Sequence, residues 1–479
     1  MIIFGIVLLM ASAVLHNSSV DNISSPLGHL MSADPRNTSQ YVVLPDQSQA
    51  GSVSWQRCLG GSERDCAHSV RQTSDGGYIV AGESGSNDGD VSGRHGGSDA
   101  WIVKLDADGA LSWQRCLGGS SRDQAESIQQ TSDGGYIFAG YTWSNDGDVS
   151  GSHSPINYPD AWVVKLDADG KLVWQRCLGG TLDDFAYSIQ QTSDGGYIVA
   201  GYTMSSKGDV SDKHGGYDVW VVKLDTDGMI AWQKCLGGVS NDLAYSIQQT
   251  SDGGYIIAGY TGSKSTASDD GDVSGSHGGD DAWVVKLDTD GALIWQRCIG
   301  GVSGDYAECV QQTADNGYIV AGRTHASHGN ISSFDFWVVK LDAKGTITWQ
   351  KSFGGSEQDA AYDVQQTLDG GYIVAGYTQS NDDDASGSYV IASEHDAWVV
   401  RLDANGTIIW QRSLGEKAGK FTESYVCQGS EDHAESIQQT SDGGYIVGGF
   451  TLVNGFADNS ESSNNHGGYD AWVVKLVPD

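Results

Sequence analysis

The stretch TSDGGYIVAGYT at residues 192–203 returns with small changes from Thr131 and again from Thr367. Nothing else in the chain constrains its fold as strongly, because tandem copies must each find equivalent surroundings. Three segments recur in fixed order: a GGYIVAG type, a DAWVVKL type and a WQRCLGG type. The tryptophans of the last are Trp55, Trp113, Trp174, Trp232, Trp295, Trp349 and Trp410, spaced by 58, 61, 58, 63, 54 and 61 residues. The stretch between YIVAG and DAW in the same copies holds 16, 19, 16, 21, 12 and 19 residues, so the rest of each unit is a constant 42. Length therefore varies in one loop of a fixed scaffold. The one other insertion is EKAGKFTESYVC after Gly415.

Each unit reads as four short strands. AxSIQQT alternates polar with apolar residues, while GYIVAGYT, AWVVKL and LxWQRCL are β-branched and aromatic runs bounded by turn residues, without a helical period. LDADG predicts a hairpin turn between the third and fourth strands, with the glycine supplying positive φ. Four-stranded units at roughly 60-residue spacing predict an all-β chain of propeller blades. The array opens on a lone SVSWQRCLG and finishes on DAWVVKL without a fourth strand. Pairing Ser52–Leu59 with the strand around Asp470–Leu476 removes two exposed sheet edges. The expectation is a seven-bladed β-propeller over residues 51–479, closed by the N-terminal strand completing the last blade.

The segment CLGGSSRDQAESIQQTSDGGYIFAGYTWSNDGD, followed by DAWVVKLDADG, resembles the seven-bladed β-propeller repeat (SBBP-type) family of secreted and cell-surface bacterial and archaeal proteins. The resemblance covers about residues 51–479. It implies the same architecture, and no general catalytic motif comes with it. Two departures stand out: SDGGY replaces the family's usual Asp–xx–Gly–Asn turn, and Trp stands for Phe.

Some residues recur in every unit and some do not. Asp65, Asp123, Asp184, Asp242, Asp305, Asp359 and Asp432 precede each first strand. A demand made in all seven units points to structure, and the reading is a carboxylate capping backbone N–H groups. The SNDGDVSG loops crowd carboxylates around a glycine, a pattern from which hard cations take oxygen ligands. Calcium is the candidate cofactor there, with Asp88, Asp90, Asp146, Asp148, Asp270 and Asp272 as ligands; solvated turns are the plain alternative. Each long loop also carries a histidine, from His95 to His466, too far apart between blades to share one metal. Five cysteines (Cys58, Cys116, Cys177, Cys235 and Cys298) share one repeat position and read as packers, leaving Cys66, Cys309 and Cys427 as the ones any disulfide must involve. Among the insertions, Tyr389, Phe421, Tyr425 and Phe456 offer apolar contact area amid polar neighbours and are the candidate binding residues.

Residues 1–13, with the apolar run from Ile2 and ASA at Ala11–Ala13, read as an export signal, with an uncleaved anchor as the alternative. Residues 14–50 are rich in Ser, Asn and Asp and read as a disordered stalk. With 62 acidic against 27 basic side chains and a net charge of -35, nucleic acid and anionic lipid are poor partners. No GxSxG, HExxH or phosphate-loop motif is present. The expectation is a secreted or cell-surface, monomeric ring that acts as a non-catalytic, adhesion-type module. It takes an extracellular protein or glycan on the face bearing the variable loops. The alternative is a propeller enzyme, a glycosidase or lyase acting on glycans or a quinone-dependent dehydrogenase. An enzyme should break the repeat with unusual polar residues at the channel mouth, and in the sequence the visible departures are loop insertions.

Overall fold

A computed structural model describes residues 50–154, 158–264, 271–325, 333–385, 394–415, 431–452 and 467–479. The leader and nearly all of the stalk expected from the sequence lie outside them. The described residues form seven four-stranded antiparallel sheets arranged as a ring, an all-β seven-bladed propeller. In blade 1 the strands are Asp65–Gln72, Tyr78–Ser84, Asp99–Leu105 and Leu111–Leu117. Blades 2–6 repeat this order, and blade 7 takes Glu431–Gln439, Tyr445–Leu452 and Tyr469–Leu476 from its own unit. Its fourth strand is Val53–Leu59, antiparallel to Tyr469–Leu476 with Cys58 opposite Trp472 and Leu59 opposite Ala471. The predicted closure is therefore the observed one.

The apolar alternation explains why blades need one another. In the third strand of blade 1, Ala100 and Ile102 pack with Ala125, Ile128 and Phe138 of blade 2. The intervening Trp101, Val103 and Leu105 pack with Leu59, Ile446 and Val473 of blade 7. Successive side chains of a strand point to opposite faces, so one DAWVVKL segment feeds two layers. Seven such layers lie between blades.

Polar side chains stitch the same joints. The second glutamine of each first strand accepts the N–H of the preceding blade's turn, as in Ser74 N to Gln130 Oε1 at 2.8 Å, and the series closes with Ser441 N to Gln72 Oε1 at 2.8 Å. Outside, each WQRC tryptophan meets the next blade's tyrosine edge-to-face, Trp55–Tyr78 having ring centroids 5.6 Å apart. Such pairs contribute ~0.5–1.5 kcal/mol beyond area burial. The indole also covers the next LDADG turn, where Gly109 has φ 77° and a Cβ would lie 2.8 Å from the Trp55 ring. That turn is built by Asp106, whose Oδ1 accepts the N–H groups of Asp108 at 3.0 Å and Ala110 at 2.8 Å.

The five regularly spaced cysteines sit at these joints. Burial pushes the thiols of Cys116, Cys177, Cys235 and Cys298 up to about 12, so they are inert packers at neutral pH. Cys66 and Cys309 are not joined in a disulfide, and Cys427 lies outside the described residues.

Two predictions follow from closure and from burial. Leu59→Ala should cost about 2–5 kcal/mol, and deleting residues 1–60 should lower the melting temperature further, by opening the sheet edge of Tyr469–Leu476. A truncated protein that melts like the intact one would contradict the closure. The second concerns pH. Burial lifts the carboxyls of Asp184, Asp242 and Asp359 to about 6, against the hydrogen bonds that favour their charge. A folded value above the unfolded one gives stability that is full below about pH 4 and is lost as pH rises through about 6. The turn residues Asp75, Asp133, Asp194 and Asp315 behave oppositely. Burial would raise them, but bonds from a threonine, a lysine and a glycine N–H outweigh it and hold them at about 2. Their contribution is present above about pH 4 and lost as pH falls through about 2. Thermal unfolding should therefore show greatest stability on the acid side of neutrality, falling both towards pH 7 and below about pH 4; a maximum at or above pH 7 would contradict this balance.

Candidate functional site

Among the described residues, the variable loops and the turns that lead into the first strands meet on one face of the ring. Gly85 N bonds Arg64 O at 2.7 Å, and Gly97 N bonds Ser121 O of the next blade's entry turn at 3.0 Å. The SDGG and LDADG turns lie at the opposite strand ends.

On the loop face the recurring aspartate is the pivot. Asp65 is fully buried. Its Oδ2 accepts Gly61 N at 2.7 Å and Ser86 Oγ at 2.7 Å, and its Oδ1 accepts the Ser84 hydroxyl. Asp123, Asp184, Asp242 and Asp359 make the same three bonds. Asp305 bonds Gly301 N and Thr324 Oγ1. Asp432 is buried at the matching position in blade 7.

The acidic loops fold back onto this pivot. Asp88 Oδ1 accepts Ser62 N at 2.7 Å, and Asp146 Oδ1 accepts Ser120 N at 2.7 Å. Asp90 and Asp148 bond through backbone N–H to Gly60 O and Gly118 O, both at 2.8 Å. Their carboxylates sit 3.4 Å from Gly60 N and Gly118 N. Asp272 N bonds Gly237 O at 2.9 Å, and Asp270 lies outside the described residues. Val91 and Val149 anchor their loops in the blade joints. Ser92 bonds Gln114 Nε2, whose Oε1 takes the buried Trp101 indole N–H at 2.9 Å. Among the described residues, no three His, Cys, Asp or Glu side chains form a group able to hold a metal.

The loop histidines of blades 1–4 turn towards the first aspartate of the third strand. The Nδ1···carboxylate distances are 2.8 Å for His95–Asp99, 3.0 Å for His153–Asp160, 3.1 Å for His214–Asp218 and 3.2 Å for His277–Asp281. His395 departs from this pattern. Its Nδ1 lies 2.8 Å from His433 Nε2, and burial, then the neighbouring His433, lowers its pKa to about 4.

A second set of departures from the repeat lies at the inner rim of this face. Three positions vary inside otherwise constant strands. In the second strand, one runs Glu83, Tyr141, Tyr202, Tyr260, Arg323, Tyr377 and Phe450, and opposite it in register stand Cys66, Gln124, Phe185, Leu243, Tyr306, Ala360 and His433. The third, in the first strand, runs His68, Glu126, Tyr187, Tyr245, Glu308, Tyr362 and Glu435. Rings from these positions touch one another: Tyr187–Tyr202 stack at 5.4 Å, Tyr187–Tyr245 meet at 5.5 Å, Tyr260–Tyr306 at 4.9 Å and Tyr377–His433 at 4.6 Å. Charges are interleaved. Glu83 is nearly buried between Arg64 at 3.4 Å and Arg122 at 3.1 Å, and Arg323 lies 3.5 Å from Glu308 and 4.7 Å from the Tyr306 ring centre. Burial raises the Glu126 and Glu308 carboxyls.

The sequence reading placed recognition on Tyr389, Phe421, Tyr425 and Phe456, all of which lie outside the described residues. Loop insertions are the departures visible along the chain, and the rim residues lie apart from them. The signal is nevertheless in the sequence: aligning the seven copies shows two of those columns varying between charged and aromatic residues and the third among Cys, Gln, Leu, Ala, His and aromatic residues, within strands that otherwise barely change.

Asp88→Ala and Asp146→Ala each remove an acceptor from a backbone N–H and should each produce a small loss of thermal stability. If the loops act as backbone caps, that loss is the same in EDTA and in millimolar calcium. A loss seen only with calcium would assign the carboxylates to the cation instead.

No family model matches the chain. The Regulatory protein FlaEY of Caulobacter vibrioides is 27% identical over 194 residues, which is 38% of this chain and 20% of that protein. The chain thus spans a fifth of that relative's length. Among solved structures, the Pan2 WD40 domain of Neurospora crassa is similar at 11% identity, with 90% of this chain and 98% of that chain covered and a TM-score of 0.48. YCF48 bound to D1 peptide matches at 9% identity over 91% of this chain and 100% of that chain, TM-score 0.47. Sqt1 from Chaetomium thermophilum matches at 10% identity over 90% and 99%, TM-score 0.44. The architecture, a seven-bladed propeller, stands on the strand order of the chain's own seven sheets.

Proposed function

We propose that the chain is an exported or cell-surface propeller working as a non-catalytic binding module, with an extracellular protein or glycan held on the loop-bearing face. The observation that carries the reading is the aromatic rim. Among the described residues, it is at this end of the strands that the repeat gives way to a collar of Tyr, Phe and His with Glu and Arg between them, and aromatic and arginine side chains dominate binding energetics. The rim is held by rigid strands and flanked by loops of varied length, the arrangement in which recognition is usually found. β-Propellers commonly serve as protein-interaction modules, which is support by fold-level analogy. Export rests on residues 1–13, and N-terminal sequencing of the natural protein tests it.

A glycan-cleaving enzyme is the second reading. Glu126 and Glu308, whose pKa values are raised by burial at the rim, are carboxyls of the kind that donate protons. Release of reducing ends from an oligosaccharide panel, lost in Glu126→Gln or Glu308→Gln, would favour it over binding alone.

Probing the purified ring on glycan and protein arrays should yield a ligand whose affinity falls about 30-fold or more when Tyr187 and Tyr245 are both changed to Ala. Changing exposed Leu368, on the opposite face, should leave binding intact. If binding survives the tyrosine changes and is lost at Leu368, the site is on the other face.

A further inference from the structure

Below the rim, the first strands enclose an axial chamber of about 380 Å³, far more than the ~10–15 Å³ needed to hold a water. Gln129, Gln190, Gln248, Gln311, Gln365 and Gln438 line it, and Arg71 takes the same place in blade 1. The orientation of the six carboxamides is set by their neighbours. Each Oε1 accepts the backbone N–H of the next blade's second glutamine, for example Gln129 Oε1 from Gln191 N at 2.8 Å and Gln248 Oε1 from Gln312 N at 2.6 Å. The others repeat this, from Gln190 with Gln249 round to Gln438 with Gln72. A backbone N–H can only donate, so the amide oxygen must face it. The NH₂ groups are then what the carboxamides have left to offer the chamber. Among the described residues, no protein acceptor meets any of these six nitrogens.

Arg71 breaks this ring at a cost, since it cannot offer Gln130 N–H the acceptor that glutamine gives in the other blades. In return it brings a positive charge into the chamber. Its Nη1 donates to Val70 O at 2.8 Å and Ser436 Oγ at 2.7 Å, and lies 3.6 Å from Asp363 Oδ2. The Asp363 carboxylate is itself engaged, accepting Ile437 N at 2.9 Å, Ser436 Oγ at 3.3 Å and the Cys309 thiol at 3.1 Å. The chamber wall is therefore a belt of donors with one guanidinium and, beside it, the Asp363 carboxylate already engaged by three donors, in a chain whose net charge is strongly acidic. Beyond ~8 Å that charge is screened at physiological ionic strength, so the groups in contact decide what binds.

We propose that the axial chamber is a binding site for a small oxyanion, with Arg71 supplying the charge and the glutamine carboxamides the hydrogen bonds. Planar and tetrahedral oxyanions are the groups that guanidinium and amide N–H donors recognise together. The oxyanion is either inorganic or a carboxylate, and both present the same acceptor oxygens to the belt.

The test uses the full ring, titrated calorimetrically and melted with sodium phosphate, sodium sulfate or sodium acetate, with ionic strength held by sodium chloride. Saturable binding of phosphate or sulfate, with a raised melting temperature, identifies the inorganic source; a response to acetate identifies the carboxylate. Arg71→Gln restores the residue of the other six blades, and with it the acceptor for Gln130, while removing the guanidinium beside Asp363; melting in chloride alone checks that the ring still folds. It should weaken oxyanion binding by at least about tenfold. Gln248→Glu keeps an oxygen for Gln312 N and places a like charge in the chamber, and should do the same. Absence of a saturable response to all three anions overturns the site. So does wild-type affinity in either variant, which would mean an adventitious ion only.

Discussion

A four-stranded sheet with apolar side chains on both faces cannot be a folded object by itself. Each blade here carries two such faces, and each face is covered only by a neighbour. The hydrophobic term is thus available only between blades, and a ring is the arrangement that leaves no blade with a bare side. The rest follows from that need. The glutamines stitch first strands together, the outer tryptophans lock each blade onto the next turn, and in blades 1–6 the buried aspartate ties the entry turn to its second strand. The aspartates show the tension in the design. Burial opposes their charge more strongly than three hydrogen bonds favour it at Asp184, Asp242 and Asp359, and the geometry persists because the entry turn has N–H groups that nothing else satisfies.

The two ends of the strands have been used differently. At the SDGG end every unit makes the same bonds: Asp75 accepts Gly77 N–H at 3.0 Å and pairs with the buried Lys104 ammonium at 3.0 Å, and the other units repeat this with Arg401 standing in for lysine in blade 6. At the loop end the aspartate bonds recur in full in five blades and in part at Asp305, but the residues between them vary. Such a division lets the rim change without unsettling the ring, because rim residues contact one another and the axis rather than the apolar layers.

Architecture was legible in the sequence because ring closure imposes one environment on every copy, and equal environments select equal residues. Trp101 and Trp162 advertise a buried third strand, and the lone SVSWQRCLG advertises its missing partner. The acidic loops were legible as loops but ambiguous in chemistry. Asp88 reads as a cation ligand until its N–H partner at Ser62, 26 residues away, is known. The rim and the axial chamber were hidden for a related reason. Their neighbours come from successive blades, as with Tyr187 and Tyr245 or Gln129 and Gln191, and no local period announces a contact made at that distance. Arg71 and Asp363 looked like ordinary scatter, and only the ring brings them within 3.6 Å.

The joint that closes the ring differs from the other six. In six blades a LDADG turn sits beneath the preceding blade's tryptophan. In blade 7 the same site is filled by two segments from far apart in sequence: Gly51, with φ 67°, lies under the Trp410 ring, Val477 N bonds Ser52 O at 2.9 Å, and Asp479 takes the Trp410 indole N–H at 2.6 Å. The joint is a hairpin without a covalent bond through it. Since Val53 must wait for Leu476, a ribosome can release six finished units before the strand that emerged first acquires its partner, and until then the sheet edges of blade 7 stay open. Synthesis that stops early yields blades without a ring. The offset strand therefore works as a check on the array, since only a chain that includes the seventh unit shields the ring's sheet edges.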